Sequence, residues 1–145
     1  MKVLRYFAIL LCLLLTAGTE PPKMLDGPSD PPAGKLRFDG IYQGPPRGYT
    51  YWLYLRFFPD GKVTNTSSIG TGTPVYNLLG DDGASIQAGN VTVQGTNISF
   101  STQGSFGTVD FSGVIDRDNL ILDSYSHING NQIKNQTYKF VPIAP

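Results

Sequence analysis

Tyr49-Thr50-Tyr51-Trp52-Leu53-Tyr54-Leu55-Arg56-Phe57-Phe58, followed by Pro59-Asp60-Gly61-Lys62, carries the clearest periodicity in the chain. Its odd positions, Tyr49, Tyr51, Leu53, Leu55 and Phe57, are apolar or amphipathic. Its even positions, Thr50, Trp52, Tyr54, Arg56 and Phe58, are more mixed. Side chains two apart share one face of an extended chain, so this alternation predicts a half-buried strand with the odd set inward. Pro59-Asp60-Gly61-Lys62 then predicts a tight reversal, with proline fixing φ and glycine accepting a positive one.

The same grammar extends outward in both directions. Upstream, Leu36, Phe38, Gly40 and Tyr42 share one parity of a first strand, which ends at a Pro45-Pro46-Arg47-Gly48 turn. Downstream, a strand is expected over about Lys62–Ser68. A glycine-rich link through Gly70 and Gly72 leads to a short strand near Pro74–Leu79, and Asp81-Asp82-Gly83 turns the chain again. Gly89–Gln94 and Asn97–Thr102 read as a hairpin over Gly95-Thr96, with Val91, Val93, Ile98 and Phe100 inward. Phe106–Ile115 places Val109, Phe111 and Ile115 inward and Thr108, Asp110 and Ser112 outward. Asp116-Arg117-Asp118-Asn119 turns into Leu120–Ser126. Asn129-Gly130, the strongest hairpin dipeptide present, leads to a last strand over about Lys134–Pro142 with Tyr138 and Phe140 inward.

These segments define an all-β domain, a single antiparallel meander of about eight or nine strands. A meander has two exposed edges that must be hidden, either by closing into an up-and-down barrel or by folding into a β-sandwich. The strand count and the scarcity of long crossovers favour the barrel. Composition agrees: charged residues are only 15% of the chain, there are 17 glycines, and the sole glutamate is Glu20. Roughly 108 residues from Lys35 to Pro142 can bury about two thirds of their unfolded surface, enough for one core without staples.

Upstream of the domain the chain changes character. Met1–Arg5 carries two positive charges, Tyr6–Leu15 is an apolar run broken only by Cys12, and Thr16, Ala17 and Gly18 are small. This is the layout of a secretory signal over residues 1–18, with cleavage expected after Gly18. The run falls short of the roughly 20 residues that cross a bilayer, so no membrane span is expected after cleavage. Leu11 stands where a lipid-attachment motif needs a small residue, and Cys12 reads as part of the apolar run. Thr19–Gly34 holds five prolines and reads as an extended tether, leaving residues 35–145 as the barrel domain. The protein is thus expected outside the cytoplasm, in a periplasm, on a cell surface or in the extracellular space.

Several segments resemble small exported lipocalin-like barrels of bacteria. Phe38-Asp39-Gly40-Ile41-Tyr42 is similar to the opening Gly-x-Trp strand of lipocalins, with tyrosine for tryptophan. Leu55–Val63 resembles their strand, Asp-Gly turn, strand unit, and Gly89–Phe100 their Gly-x-Tyr…Gly-x-x-Ile-x-Phe hairpin, with Val91 where tyrosine is usual. Tyr138-Lys139-Phe140 is similar to the closing strand. The resemblance implies a barrel whose mouth holds an apolar molecule, and it brings no catalytic residues. It departs at one point: lipocalins pack an arginine near the last strand over the first-strand aromatic, whereas here the last strand offers Lys139 on the outer face.

The residues supply little for catalysis. His127 is the only histidine and Cys12 the only cysteine, so a His/Cys zinc site is excluded by count after leader removal. A Ser-His-Asp triad would have to use His127, which sits beside the Asn129-Gly130 turn as a solvated imidazole. Asp60, Asp81, Asp82, Asp116 and Asp118 all fall in turns, where aspartate bonds nearby backbone donors. No cofactor or metal is expected. With Lys2 and Arg5 gone, nine basic residues face eleven acidic ones and are scattered along the chain, which argues against nucleic acid. Asn65-Thr66-Ser67, Asn90-Val91-Thr92, Asn97-Ile98-Ser99 and Asn135-Gln136-Thr137 match the glycosylation acceptor pattern, as expected in a chain this rich in Asn, Ser and Thr.

The expected activity is therefore binding. Tyr49, Tyr51, Trp52 and Tyr54 with Arg56 form the one aromatic cluster able to line a ligand mouth. The leading expectation is a non-enzymatic exported barrel for a small apolar or amphipathic ligand. The alternative is a protein-interaction module, an inhibitor or envelope accessory factor, presenting Trp52 and Tyr54 on an exposed outer face.

Overall fold

The computed structural model describes residues 34–48, 50–80 and 86–144. The leader, most of the tether, Tyr49 and the Asp81-Asp82-Gly83 turn lie outside them. Eight strands follow one another: β1 (Gly40–Arg47), β2 (Tyr51–Phe57), β3 (Lys62–Ser68), β4 (Gln87–Gln94), β5 (Asn97–Gly104), β6 (Gly107–Asp116), β7 (Asn119–Ser126) and β8 (Gln132–Pro142). Each pairs antiparallel with its neighbour, and β8 returns to β1 with Tyr42 opposite Phe140 and Gln43 opposite Lys139. That last pairing closes the barrel and leaves no edge for another chain to extend. A sandwich would have kept β1 and β8 apart.

The odd face of β2 points inward as the alternation demands: Leu55 and Phe57 are buried, and Leu53 packs beside them. The inner faces of the other strands contribute Tyr42, Val63, Ile98, Phe100, Phe111, Ile115, Leu120, Leu122 and Tyr138 to the same core. Within it an aromatic series crosses the barrel, Phe140–Tyr42–Phe57–Phe100–Phe111. Its first three contacts are edge-on at 5.1, 5.5 and 5.4 Å, and its last is stacked at 4.7 Å. Such geometries set the positive ring edge against a negative face or offset the faces, adding to the burial term. Where strands crowd, side chains vanish: a Cβ on Gly89 would overlap the Ser101 carbonyl.

Three local expectations need correction. Pro45 and Pro46 lie within β1 rather than in a turn after it. The strand absorbs them as a register shift between Gln43 and Pro46, where a missing N–H costs no ladder bond. The expected strand near Pro74–Leu79 is a helix, α1 (Thr73–Leu78), with Pro74 in its first turn where proline is tolerated. Val75 and the capping Leu79 lie four apart on one helical face and pack on the outer wall, against Ile41 and Tyr54. Finally, Leu36 and Phe38 precede the first strand instead of belonging to it. Leu36 is buried in the barrel core and Phe38 is half exposed.

The segment carrying Leu36 spans one end of the barrel and is tied to the closing strand. The Arg37 guanidinium lies 4.0 Å over the Phe140 ring, and it pairs with Asp39 at 2.6 Å and Asp118 at 3.4 Å. The Arg37 amide donates to the Tyr42 hydroxyl at 3.0 Å. An arginine over an aromatic does join the two ends of the domain, with the roles exchanged relative to the lipocalin pattern: the arginine precedes β1 and the ring belongs to β8.

Candidate functional site

The opposite end is open. A cavity of about 530 Å³ enters the barrel there, within the range of small-molecule sites. Its apolar wall includes Leu53, Val109, Phe111 and Ile133, and its polar wall includes Asn65, Ser67, Gln87, Ser124 and Ser126. The origin of the two walls lies in the strands themselves. Toward the open end the inner face of β3 changes from Val63 to Asn65 and Ser67, and that of β7 from Leu120 and Leu122 to Ser124 and Ser126. The rows pair across the sheet, Leu55 opposite Asn65 and Phe111 opposite Ser124. Apolar side chains of the core thus give way to amides and hydroxyls at the cavity.

Some of this polar lining is internally bonded. Thr102 Oγ1 donates to Gln87 Oε1 at 3.3 Å, and Arg47 Nη2 donates to Gln136 Oε1 at 2.7 Å. Arg47 is the one charged side chain among the described residues of the cavity wall. Asn65 differs. It is 2% exposed, and its Oδ1 is buried with no hydrogen-bond partner. A buried acceptor left unmatched costs about 1–3 kcal/mol, and Asn65 carries one at the edge of the cavity. Nearby in sequence to Arg47, Gly44 lets the Tyr138 ring approach the β1 backbone: a Cβ there would lie 2.7 Å from ring carbon Cε1. Burial pushes the Tyr138 hydroxyl up to about 12, with the Arg47 charge offsetting part of the rise.

The barrel wall divides the five residues that sequence brought together. Tyr51 lines the cavity at its mouth. Trp52, Tyr54 and Arg56 are on the other side of the wall, beneath or beside α1. Tyr54 is 1% exposed and donates its hydroxyl to the Gly70 carbonyl at 2.9 Å, which overturns its expected place on an exposed face. Trp52 packs against the same outer cluster. Arg56 donates to the Tyr76 carbonyl at 2.8 Å, and its guanidinium lies 3.5 Å over the Tyr76 ring. Tyr49 lies outside the described residues. Sequence reasoning missed Asn65, Gln87 and Ser124, although the loss of apolar character along β3 and β7 was a usable signal.

His127 and Asp110, each expected to face solvent singly, meet on the outer wall of β6. Ser101 Oγ donates to Asp110 Oδ1 at 2.6 Å, and His127 Nε2 lies 2.6 Å from Asp110 Oδ2. The Ser101 bond, followed by His127, holds the Asp110 carboxyl below its ordinary value. Nucleophilic activation needs the imidazole between hydroxyl and carboxylate, so that it can take the hydroxyl proton. Here the carboxylate stands in the middle, and the set serves to tie β5, β6 and the β7–β8 turn together. Among the described residues no group of three or more His, Cys, Asp or Glu could hold a metal ion.

Fold and cavity together define an eight-stranded, up-and-down antiparallel barrel packed solid at one end and hollow at the other. No protein-family model matches the chain, and no curated protein or solved structure shows significant similarity to it.

Proposed function

We propose that this protein is an exported, non-enzymatic binding barrel of lipocalin-like type that takes a small amphipathic molecule into its open end. The observation that carries the reading is the two-walled cavity with the unmatched Asn65 Oδ1 on its polar side. A purely apolar ligand would leave that acceptor unpaired, and a strongly polar one would waste the wall formed by Leu53, Val109, Phe111 and Ile133. The fitting ligand has an apolar body and at least one hydroxyl or N–H donor. Tyr51 supplies a flat amphipathic surface at the entrance. The leader and tether supply the route out of the cytoplasm and a spacer on which the barrel is carried.

Native mass spectrometry of protein purified from its own source tests this directly. The expected spectrum shows a chain starting at Thr19 with one copy of a small molecule released on denaturation. Asn65→Leu should lower occupancy by roughly tenfold, the worth of one buried hydrogen bond. A preparation that carries no small molecule, and takes none up from a lipid and metabolite extract of that source, would remove the proposal.

A further inference from the structure

The connections at the two barrel ends differ in charge and in apolar exposure. At the packed end lie the segment before β1, the β2–β3 and β6–β7 turns and Gly95-Thr96. Together these carry Lys35, Arg37, Asp39, Asp60, Arg117 and Asp118. At the open end, the described residues between strands include no Asp, Glu, Lys or Arg. They carry large apolar side chains in water instead. Phe106 is 80% exposed in the two-residue β5–β6 turn, Ile69 78% where the chain leaves β3, and Ile128 46% in the β7–β8 turn; Tyr51, 43% exposed, opens β2. A two-residue hairpin turn is ordinarily filled by Asn, Gly or Asp, so Phe106 at such a site is not a requirement of the turn. Four separate chain reversals at this end thus each carry a large ring or branched side chain, and three of these, Tyr51, Phe106 and Ile128, line the opening.

We infer that the open end docks on a lipid bilayer, with Phe106, Ile128, Ile69 and Tyr51 entering the interfacial zone and the cavity mouth facing the lipid. The geometry selects this occupant over a protein. Three of them, Tyr51, Phe106 and Ile128, line the cavity mouth, so a rigid protein surface laid over them would trap an unfilled hole, whereas fluid lipid conforms to the opening. The absence of charge at the described tips fits as well, because carrying an ion into the hydrocarbon boundary is costly. Asp81 and Asp82 of the β3–β4 connection lie outside the described residues. Docking in this orientation gives an amphipathic ligand a path between membrane and barrel that avoids water. The rim alone carries the inference, which holds with the cavity loaded or empty.

The test uses the chain from Thr19 onward, which contains the whole barrel, since closure lies entirely within Gly40–Pro142. It is mixed with phosphatidylcholine vesicles and sedimented. Binding is expected, is expected to survive 0.5 M salt at about the same level because burial rather than charge drives it, and should fall about tenfold or more in the triple variant Phe106→Ser, Ile128→Ser, Ile69→Ser. The control variant Phe38→Ser, Val93→Ser removes exposed apolar groups from the packed end and should bind as the parent does. In Phe106→Trp, brominated lipids should quench fluorescence beyond the level set by Trp52. Three results overturn the inference: no vesicle binding, equal binding by parent and triple variant, or a soluble partner or second copy captured through the rim without lipid binding. Unchanged circular dichroism in the triple variant shows that the loss comes from the rim and not from unfolding.

Discussion

Where Leu36 crosses the barrel, side chains from nearly every strand meet in one dry cluster, and charged groups lie outside it. Where Tyr51 stands, the same strands present amides and hydroxyls beside apolar side chains inward, and the connections between them hold Phe106, Ile69 and Ile128 in solvent. The two ends thus differ: the packed end is apolar throughout its interior with charged turns outside, whereas the open end sets amides and hydroxyls beside apolar side chains inside and carries its most exposed apolar groups, Phe106 and Ile69, in its connections. The packed end has the distribution that water imposes on any folded domain. The open end lacks that ordering and leaves an acceptor unpaired, features expected where a surface is shaped for something other than stability. One set of strands can thus differ along its length, with dense burial at one end and an open cavity at the other.

The largest effect should come from the aromatic series. Phe57→Ala removes the ring that contacts both Tyr42 and Phe100, and should destabilise the barrel by about 3–5 kcal/mol in a denaturant titration. Phe106→Ser at the rim should change stability by less than about 0.5 kcal/mol, because its ring is already in water. Equal losses for the two would end the distinction between a stabilising packed end and an open end whose rim adds little to stability.

Alkali offers the next test, through two buried tyrosines. Burial pushes both Tyr42 and Tyr138 up to about 12, against about 10 in an unfolded chain. A raised tyrosine value means that the unfolded chain releases its proton first. The stabilisation is therefore complete below about pH 10 and is lost as pH climbs through 12, on the order of 2 kcal/mol for each ring. Tyr42→Phe should remove about half of the alkaline loss, as read from thermal midpoints at pH 9 and pH 11.5. An unchanged pH profile in that variant would mean that the Tyr42 hydroxyl is not closed off from water.

A smaller loss is expected at the strap. Arg37→Ala deletes the cation over Phe140 and its pairing with Asp39 and Asp118, all partly solvated, and should cost about 1 kcal/mol. The change should concentrate at the packed end, with faster amide exchange at Gly40–Gln43, where β1 meets β8. Faster exchange at the cavity instead would show that the two ends are coupled rather than separate.

Much of the barrel was legible because its determinants are local. Alternation in Tyr51–Phe57, Asn97–Thr102 and Val109–Ile115 assigns faces, and Asp60-Gly61, Gly95-Thr96 and Asn129-Gly130 assign reversals. Helix α1 was not legible. Val75 and Leu79 favour helix only because Ile41 and Tyr54, far away in sequence, give one helical face something to pack on. Of the residues expected at a ligand mouth, Tyr51 is the one the described residues place in the cavity lining. Adjacency in sequence gathered Tyr51 with Trp52, Tyr54 and Arg56, and in a strand adjacent residues lie on opposite sides of the wall. Asn65 was hidden for the converse reason: a lone amide reads as an ordinary polar residue until the fold buries it beside a cavity with its oxygen unmatched.

Asn65→Leu sharpens the comparison most finely, since it should move stability and binding in opposite directions. Leucine has nearly the shape of asparagine but no acceptor, so replacement of an unpaired buried amide oxygen should be neutral or raise stability by up to about 1 kcal/mol in the empty barrel. At the packed end any comparable change of polarity, such as Leu55→Asn, should act with the reverse sign, because it would bury an amide among rings with nothing to bond. The measurement is a pair of thermal midpoints on ligand-free protein, set beside the occupancy of each variant. A midpoint that drops in Asn65→Leu by as much as in Leu55→Asn would show Asn65 to be a structural bond of the fold. A midpoint that holds or rises while occupancy falls would show that this position gives up stability for recognition, unlike any position in the packed core.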